Sequence, residues 1–321
     1  MAVYTEVTDA DLTLFLGDYE LGRVLALKGI AEGVENSNFL LHVDAGYFIL
    51  TLYEKRVEEE NLPFFLGLME HLATHGLNCP QPVRNRFGGA LGRIKGRPAA
   101  IVTFLEGIWR NHPDAKSCAS LGEALGKLHL AGADFAGSRS NALGLNAWPA
   151  LFDEVRGRAN EVRPGLAELI EKELIFLAAA WPAGLPRGVI HADLFPDNVL
   201  FLEDKLSGLI DFYFACTDDL AYDLAICLNA WCFEADCSFN AAKAKAFFAA
   251  YERIRALRPE EVEALPILAR GAALRFALTR LVDWLNVPEG ALVHPKDPLE
   301  YVRKLQFHQS AGGARELGLR Q

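Results

Sequence analysis

The sequence predicts an α+β protein of two lobes: a small N-terminal lobe around an antiparallel sheet and a larger, mostly helical C-terminal lobe. Three observations predict it. The chain has 321 residues, 51% hydrophobic and 23% charged, which is more than one simple core accommodates. Between residues 21 and 104, short apolar runs alternate with Gly and Pro turns, the pattern of strands joined by tight connections. From residue 115 onward, apolar residues recur at helical spacing. The break falls near Glu106, giving lobes of residues 1–106 and 107–321.

Taken in order, Thr8 is an N-cap for a short helix over residues 8–16. Strands are expected at 21–28 and 39–43. The small-residue stretch between them contains Gly33, Asn36, Ser37 and Asn38, and by itself reads as a hairpin connection. Gly46 turns the chain into a strand over 47–53. A helix follows from 58 or 59 to 75, with Pro63 in its first turns and Gly76 as its stop. Strands are expected at 83–86 and 90–94, then a buried apolar strand at 99–104 that Leu105, Glu106 and Gly107 break. Helices are expected over 115–131, where Leu121, Leu125 and Leu128 form one stripe, and over 149–163 and 166–181. A further helix over 271–285 carries Leu274, Leu278, Leu281 and Leu285 on one face. Arg275, Thr279 and Asp283, four apart, make a polar line on another.

Composition narrows the function classes. A net charge of −10 argues against a general nucleic-acid binder, because phosphate backbones are held by basic surface. Six cysteines without a C-x-x-C pair read as reduced, buried thiols of a cytoplasmic protein. The first residues have no basic region leading into an apolar one, so no signal peptide is expected. No run approaches a membrane span, so no membrane partner is expected. Oligomeric state has no signature here.

The densest cluster of polar residues between apolar ones lies at 189–212. It reads Val-Ile-His191-Ala192-Asp193-Leu-Phe-Pro-Asp197-Asn198, then two apolar strands at 199–202 and 206–210, then Asp211-Phe212. This order resembles the catalytic loop and metal-binding aspartate of the protein-kinase-like phosphotransferases. The Ala after His191, and no Gly after Phe212, make it similar to the small-molecule branch of aminoglycoside, choline and homoserine kinases. The resemblance implies a bilobal protein-kinase-like fold, with ATP and Mg2+ as cofactors. It implies His191 and Asp193 at the catalytic position, with Asp193 accepting the hydroxyl proton, and Asn198 and Asp211 on the metal. Asp223 matches a structural aspartate that accepts backbone hydrogen bonds from the loop. Gly33, Asn36, Ser37 and Asn38 would lie over the phosphates, and Leu105 and Glu106 at the hinge that pairs with adenine. The chain departs from the protein kinases at Thr51, where their phosphate-holding lysine falls. A hydroxyl is no substitute for a cation, so Thr51 leaves the clamp unassigned, with Lys55 or Arg56 as stand-ins and Glu70 as the lysine's helix partner.

The segment from Arg270 to Trp284, followed by Lys296-Asp297-Pro298-Leu-Glu300-Tyr301, looks like the C-terminal signature of bacterial homoserine kinases of the aminoglycoside-kinase-like type. The similarity spans essentially the whole chain. It implies ATP-dependent phosphorylation of L-homoserine to O-phospho-L-homoserine, a step toward threonine. A zwitterionic acceptor needs a cation for its carboxylate, Arg275 first or else Arg280. It also needs an acid for its amine, from Asp218, Asp219 or Asp283. Other acceptors remain open. An aminoglycoside asks for a strongly acidic site, and the Arg-rich helix speaks against it. Choline asks for an aromatic cage, for which Trp231, Phe233 and Trp284 are available. A non-catalytic binding protein of the same fold is favoured only by the missing strand lysine.

Overall fold

The computed structural model describes residues 5–30, 36–54, 58–287, 295–311 and 313–319. Thr8 starts α1 (Asp9–Leu16) with a reciprocal cap, accepting the Asp11 N–H while the Asp11 carboxylate accepts its own N–H at 2.9 Å. Then come β1 (Val24–Gly29), β2 (Ser37–Val43), β3 (Gly46–Leu52), α2 (Leu62–Thr74), β4 (Gly92–Ile94) and β5 (Arg97–Thr103). The five strands form one antiparallel sheet in the order β1-β2-β3-β5-β4. Successive side chains of a strand point to opposite faces, and β5 uses both. Ala99 and Ile101 pack with Leu12, Phe15 and Leu16 of α1, while Ala100 and Val102 pack with Phe65, Met69 and Leu72 of α2.

The rest is mainly helical: α3 (Ala115–Ala131), α4 (Trp148–Asp153), α5 (Ala159–Val162), α6 (Leu166–Ala180), α7 (Leu220–Trp231), α8 (Ala241–Ile254), α9 (Pro259–Leu285) and α10 (Pro298–Ser310). Between α6 and α7 lie β6 (Arg187–Ile190), β7 (Val199–Leu202), β8 (Lys205–Leu209) and β9 (Cys216–Asp219). β6 pairs with β9, and β7 with β8, both antiparallel. Asp114 caps α3 by accepting the Ser117 N–H at 2.8 Å, and the predicted Leu121, Leu125 and Leu128 stripe is fully buried. α3 meets α8 so closely at Gly122 that a methyl group there would run into the Phe247 carbonyl. The α2 face and Tyr53 share one continuous core with these helices.

Two expectations change. The helix over 149–163 is two short pieces, α4 and α5. The chain turns tightly between them, with Val155 N–H on Phe152 O at 3.0 Å and Arg158 N–H on Val155 O at 2.9 Å, which keeps Val155 and Ala159 buried. The strand at 83–86 is absent. After Val83 the chain enters a turn in which the Asn85 side chain accepts the N–H groups of Phe87 (3.0 Å) and Gly89 (2.9 Å). The predicted 271–285 helix is the second half of the 27-residue α9. Its leucine stripe is buried through Leu281. No helix among the described residues is long and apolar enough to cross a membrane.

Candidate active site

β6 delivers the loop. Val189 and Ile190 are buried and pair with Thr217 and Cys216 of β9, which fixes the direction in which His191 leaves the ladder. Ala192 then takes a left-handed backbone (φ 64°), a conformation that costs a side-chain-bearing residue and persists only when its surroundings enforce it. Here the surroundings are two charged groups. Asp223, at the start of α7, accepts the N–H of His191 at 2.7 Å and of Ala192 at 2.9 Å. Arg275 of α9 donates Nη1–H to the Ala192 carbonyl at 2.6 Å. Trp231 adds a third anchor, its indole N–H on Leu194 O at 2.7 Å.

The other polar residues are tied to one another. Asn198 donates Nδ2–H to Asp193 O (2.8 Å) and Asp193 Oδ2 (3.1 Å), and its own carbonyl accepts Ile210 N–H at 3.0 Å. His191 Nε2–H donates to Ile210 O at 3.0 Å. Ile210 therefore locks both ends of the loop just before Asp211, which is exposed and also left-handed (φ 64°, ψ 65°). Farther out, Tyr53 at the end of β3 and Tyr213 just after Asp211 share a hydroxyl contact of 3.1 Å, coupling the sheet to the loop.

Electrostatics distinguish these groups. Asp193 keeps a partly exposed edge, yet loss of surrounding water raises its carboxyl well above the usual range; Arg275 opposes the rise and Asp211 adds to it. Burial lowers His191 to about 4. Burial alone would raise Asp223, but His129 and the His191 N–H outweigh it and hold the carboxylate low. His129 donates to Asp223 at 3.3 Å and accepts from the Tyr251 hydroxyl at 2.7 Å. The donor set fits a hard divalent cation. Asn198 spends its amide N–H on Asp193, which leaves its Oδ1 as the atom that could ligate, and Asp211 is exposed.

Several sequence expectations change at this level. His191 is fully buried, with its Nε2–H donated to Ile210 O, so it braces the loop from within. Arg275 is 1% exposed and spends Nη1 on Ala192 O; it lies beneath the loop, not on an open face awaiting a carboxylate. Arg280 is likewise committed, to Glu300 at 2.6 Å and Asp297 O at 3.2 Å. Lys304 also pairs with Glu300 (2.6 Å). Burial opposes ionisation of that acid, but Lys304 and Arg280 prevail and bring it to about 2. Asp283 is exposed near the end of α9, so the 275–279–283 line runs from core to surface and is not one polar face. Asp218 and Asp219 pair with Gly188 and Arg187 at the start of β6. At a rise of about 3.3 Å per residue, Asp219 stands about 10 Å back along the ladder from Ile190, away from the loop. Asp218 accepts from the Asn141 amide at 2.8 Å, and Asp219 is raised to about 6, by burial first and by Asp218 next.

On the nucleotide side, Gly33, Lys55 and Arg56 lie outside the described residues. Asn36 and Ser37 are buried, and the Ser37 hydroxyl donates to Glu54 at 2.8 Å, so neither presents an open donor to a phosphate. Asn38 sits in β2 opposite Thr51 and accepts its hydroxyl at 2.8 Å. Leu105 and Glu106 follow β5 in the connection to α3, which meets the β7–β8 hairpin where Glu106 O accepts the Ser207 hydroxyl at 2.7 Å. Glu70 is half-buried on α2 and paired with Arg84 at 2.6 Å. The aromatic cage does not assemble. Trp231 and Phe233 are buried in the core, whereas Trp284 is 43% exposed at the end of α9.

One residue at the loop had no task in the sequence reading. Lys296, exposed just before α10, pairs with Asp197 at 3.2 Å, stands 5.4 Å over the Phe195 ring, and pulls the Asp193 carboxyl down. Its signal was there: Asp297-Pro298 starts a helix, with Asp297 accepting the Leu299 N–H at 2.8 Å, and this fixes where the preceding residue goes.

Comparison with known proteins gives concordant results. Residues 26–257 match the phosphotransferase enzyme family. The chain is 68% identical to the homoserine kinase of Beijerinckia indica subsp. indica over 99% of both chains. It is 69% identical to the homoserine kinase of Methylocella silvestris, again over 99% of each. Among solved structures, an amicoumacin kinase in complex with AMP-PNP and Ca2+ superposes with a TM-score of 0.71 at 12% identity, covering 96% of this chain and 95% of that one. The bilobal kinase-like architecture expected from the loop motif is the fold that superposition shows.

Proposed function

This chain belongs to the phosphotransferase enzyme family, and we infer that it uses ATP to phosphorylate the side-chain hydroxyl of L-homoserine, giving O-phospho-L-homoserine and ADP on the route to threonine. The observation that carries the choice of acceptor is the 68% identity to a homoserine kinase across 99% of both chains. At that level the α9 and α10 segments are matched along with the loop.

In this reading Asp193 accepts the proton of the homoserine hydroxyl as its oxygen attacks the γ-phosphorus. The Asn198 amide on Oδ2 and the pinned Ala192 peptide hold the carboxylate in place. Asn198 Oδ1 and the Asp211 carboxylate would hold Mg2+, which would supply positive charge against the ATP phosphates. Lys296 supplies a cation on the open side of the loop for an anionic group of the bound substrates, the task first assigned to Arg275 or Arg280. A lobe boundary at residue 106 is supported by the end of the sheet at β5 and the loop that leads from it into α3, although α2 packs into the C-terminal core. Unpaired thiols, five of six buried, support a reducing cytoplasmic setting.

The test is an ADP-release assay over homoserine, choline, ethanolamine and an aminoglycoside. Homoserine should exceed choline, which lacks the carboxylate, by at least about a hundredfold in kcat/KM. Equal or greater turnover of any of the other three would overturn the assignment.

A further inference from the structure

Away from the catalytic loop, the C-terminal end of α2 meets the turn after α3. His71 lies in the last turn of α2 and His75 is the C-cap four residues on, so both rings project from one side of the helix end, with centroids 4.3 Å apart. Asp134 faces them from the turn after α3. One carboxylate oxygen stands 3.1 Å from His71 Nε2 and the other 3.7 Å from His75 Nε2. The three ligand atoms all lie within 4.8 Å of one another. Metal–ligand bonds of about 2.0–2.1 Å at tetrahedral angles require ligand atoms about 3.3 Å apart, so small rotations of the exposed His75 and Asp134 side chains toward the half-buried His71 close the site.

The second layer is already in place. His75 Nδ1–H donates to the His71 carbonyl at 2.9 Å, which leaves Nε2 bare and aimed at Asp134. Carbonyl groups at the end of α2 add partial negative charge, which favours a cation there. His71 Nε2 also touches the Ala131 carbonyl at 2.9 Å. On loading, that nitrogen exchanges its proton for the metal, and the imidazole carries a proton on Nδ1 instead. Two imidazoles and one carboxylate, with a fourth position open to water, are the ligands of a zinc-type ion rather than of magnesium.

We propose that His71, His75 and Asp134 form a non-catalytic site for a divalent transition metal, which clips α2 to the end of α3 and so joins the lobe of the sheet to the helical lobe. None of the three residues belongs to the phosphoryl-transfer machinery, and the site stands independently of the acceptor.

Titration of the nucleotide-free, magnesium-free protein with Co2+, followed by visible ligand-field absorption, tests it. One equivalent should produce the band of a four-coordinate ion, and Zn2+ should bleach it. Loss of an outer-layer partner alone costs about 10–100-fold in metal affinity, so His75→Ala and Asp134→Asn should each weaken binding at least about tenfold. Asp211→Ala, at the catalytic centre, should leave the band intact. The absence of a band, or a band that survives both His75→Ala and Asp134→Asn, overturns the proposal. Melting curves without metal separate a lost ligand from a lost fold, since both altered side chains lie on the surface.

Discussion

In the catalytic loop, the polar residues are held by groups of their own segment: Asn198 by Asp193 and Ile210, His191 by Ile210. On α9 and α10 the charged residues reach across the chain. Arg275 bonds a carbonyl 83 residues away, and Arg280 a carboxylate 20 residues away. The side chains of the loop are therefore ordered locally, while its backbone is pinned from outside by Asp223, Arg275 and Trp231. The α9–α10 face is a tertiary object in which the same residue type serves a ligand or a buried carbonyl with no difference in spacing. The contrast also separates chemistry from support. Asp193, Asp211 and Lys296 keep solvent-facing surface at the loop, whereas Arg275 and Arg280 are buried and bonded to other elements.

The largest expected effect falls within the loop. Asp193→Asn removes the proton acceptor and should cut turnover by about two to four powers of ten while MgATP still binds. Retention of near-full turnover would mean that the local geometry is not the catalytic one. Next in size is its remote support. Asp223→Asn leaves buried N–H groups and His129 without their carboxylate, and should cost about 3–5 kcal/mol in urea denaturation. Breaking the exposed Lys296–Asp197 pair instead should cost no more than about 1 kcal/mol. Similar losses from the two would erase the distinction between support and open surface.

A smaller effect comes from the β9 acids. Asp219 holds its proton up to about 6, against 3.8 for an ordinary Asp. Between those values the folded state binds more protons than the unfolded one, so stability falls as pH rises through this window. The loss is up to about 3 kcal/mol, and Asp219→Asn should flatten it. Denaturation midpoints across the window check this; an unchanged slope in the variant would place the titration elsewhere.

Legibility in the sequence followed the same division. Most strand and helix positions and the hairpin after Asn198 were readable because each depends on neighbours a few residues away. Arg275 was not: its helical spacing with Thr279 and Asp283 predicted a polar face, but α9 is buried through Leu281, and the guanidinium found a carbonyl made available by the left-handed Ala192. Ser37 failed similarly. Small polar residues between two strands look like an open phosphate loop, yet β2 begins at Ser37 and buries its hydroxyl against Glu54. Lys296 was passed over because the Asp297-Pro298 helix start fixes where it leaves the chain but not that it meets a loop 99 residues earlier.

Arg275→Met is the variant that decides whether α9 supports the loop or receives the substrate. It keeps most of the side-chain bulk and removes the donor to Ala192. With KM and kcat measured for homoserine and for ATP, kcat should fall about 10–100-fold, the loss expected of one charged hydrogen bond, with KM for homoserine little changed. A rise of tenfold or more in KM for homoserine, with kcat retained and KM for ATP unaffected, would show instead that the guanidinium holds the substrate carboxylate.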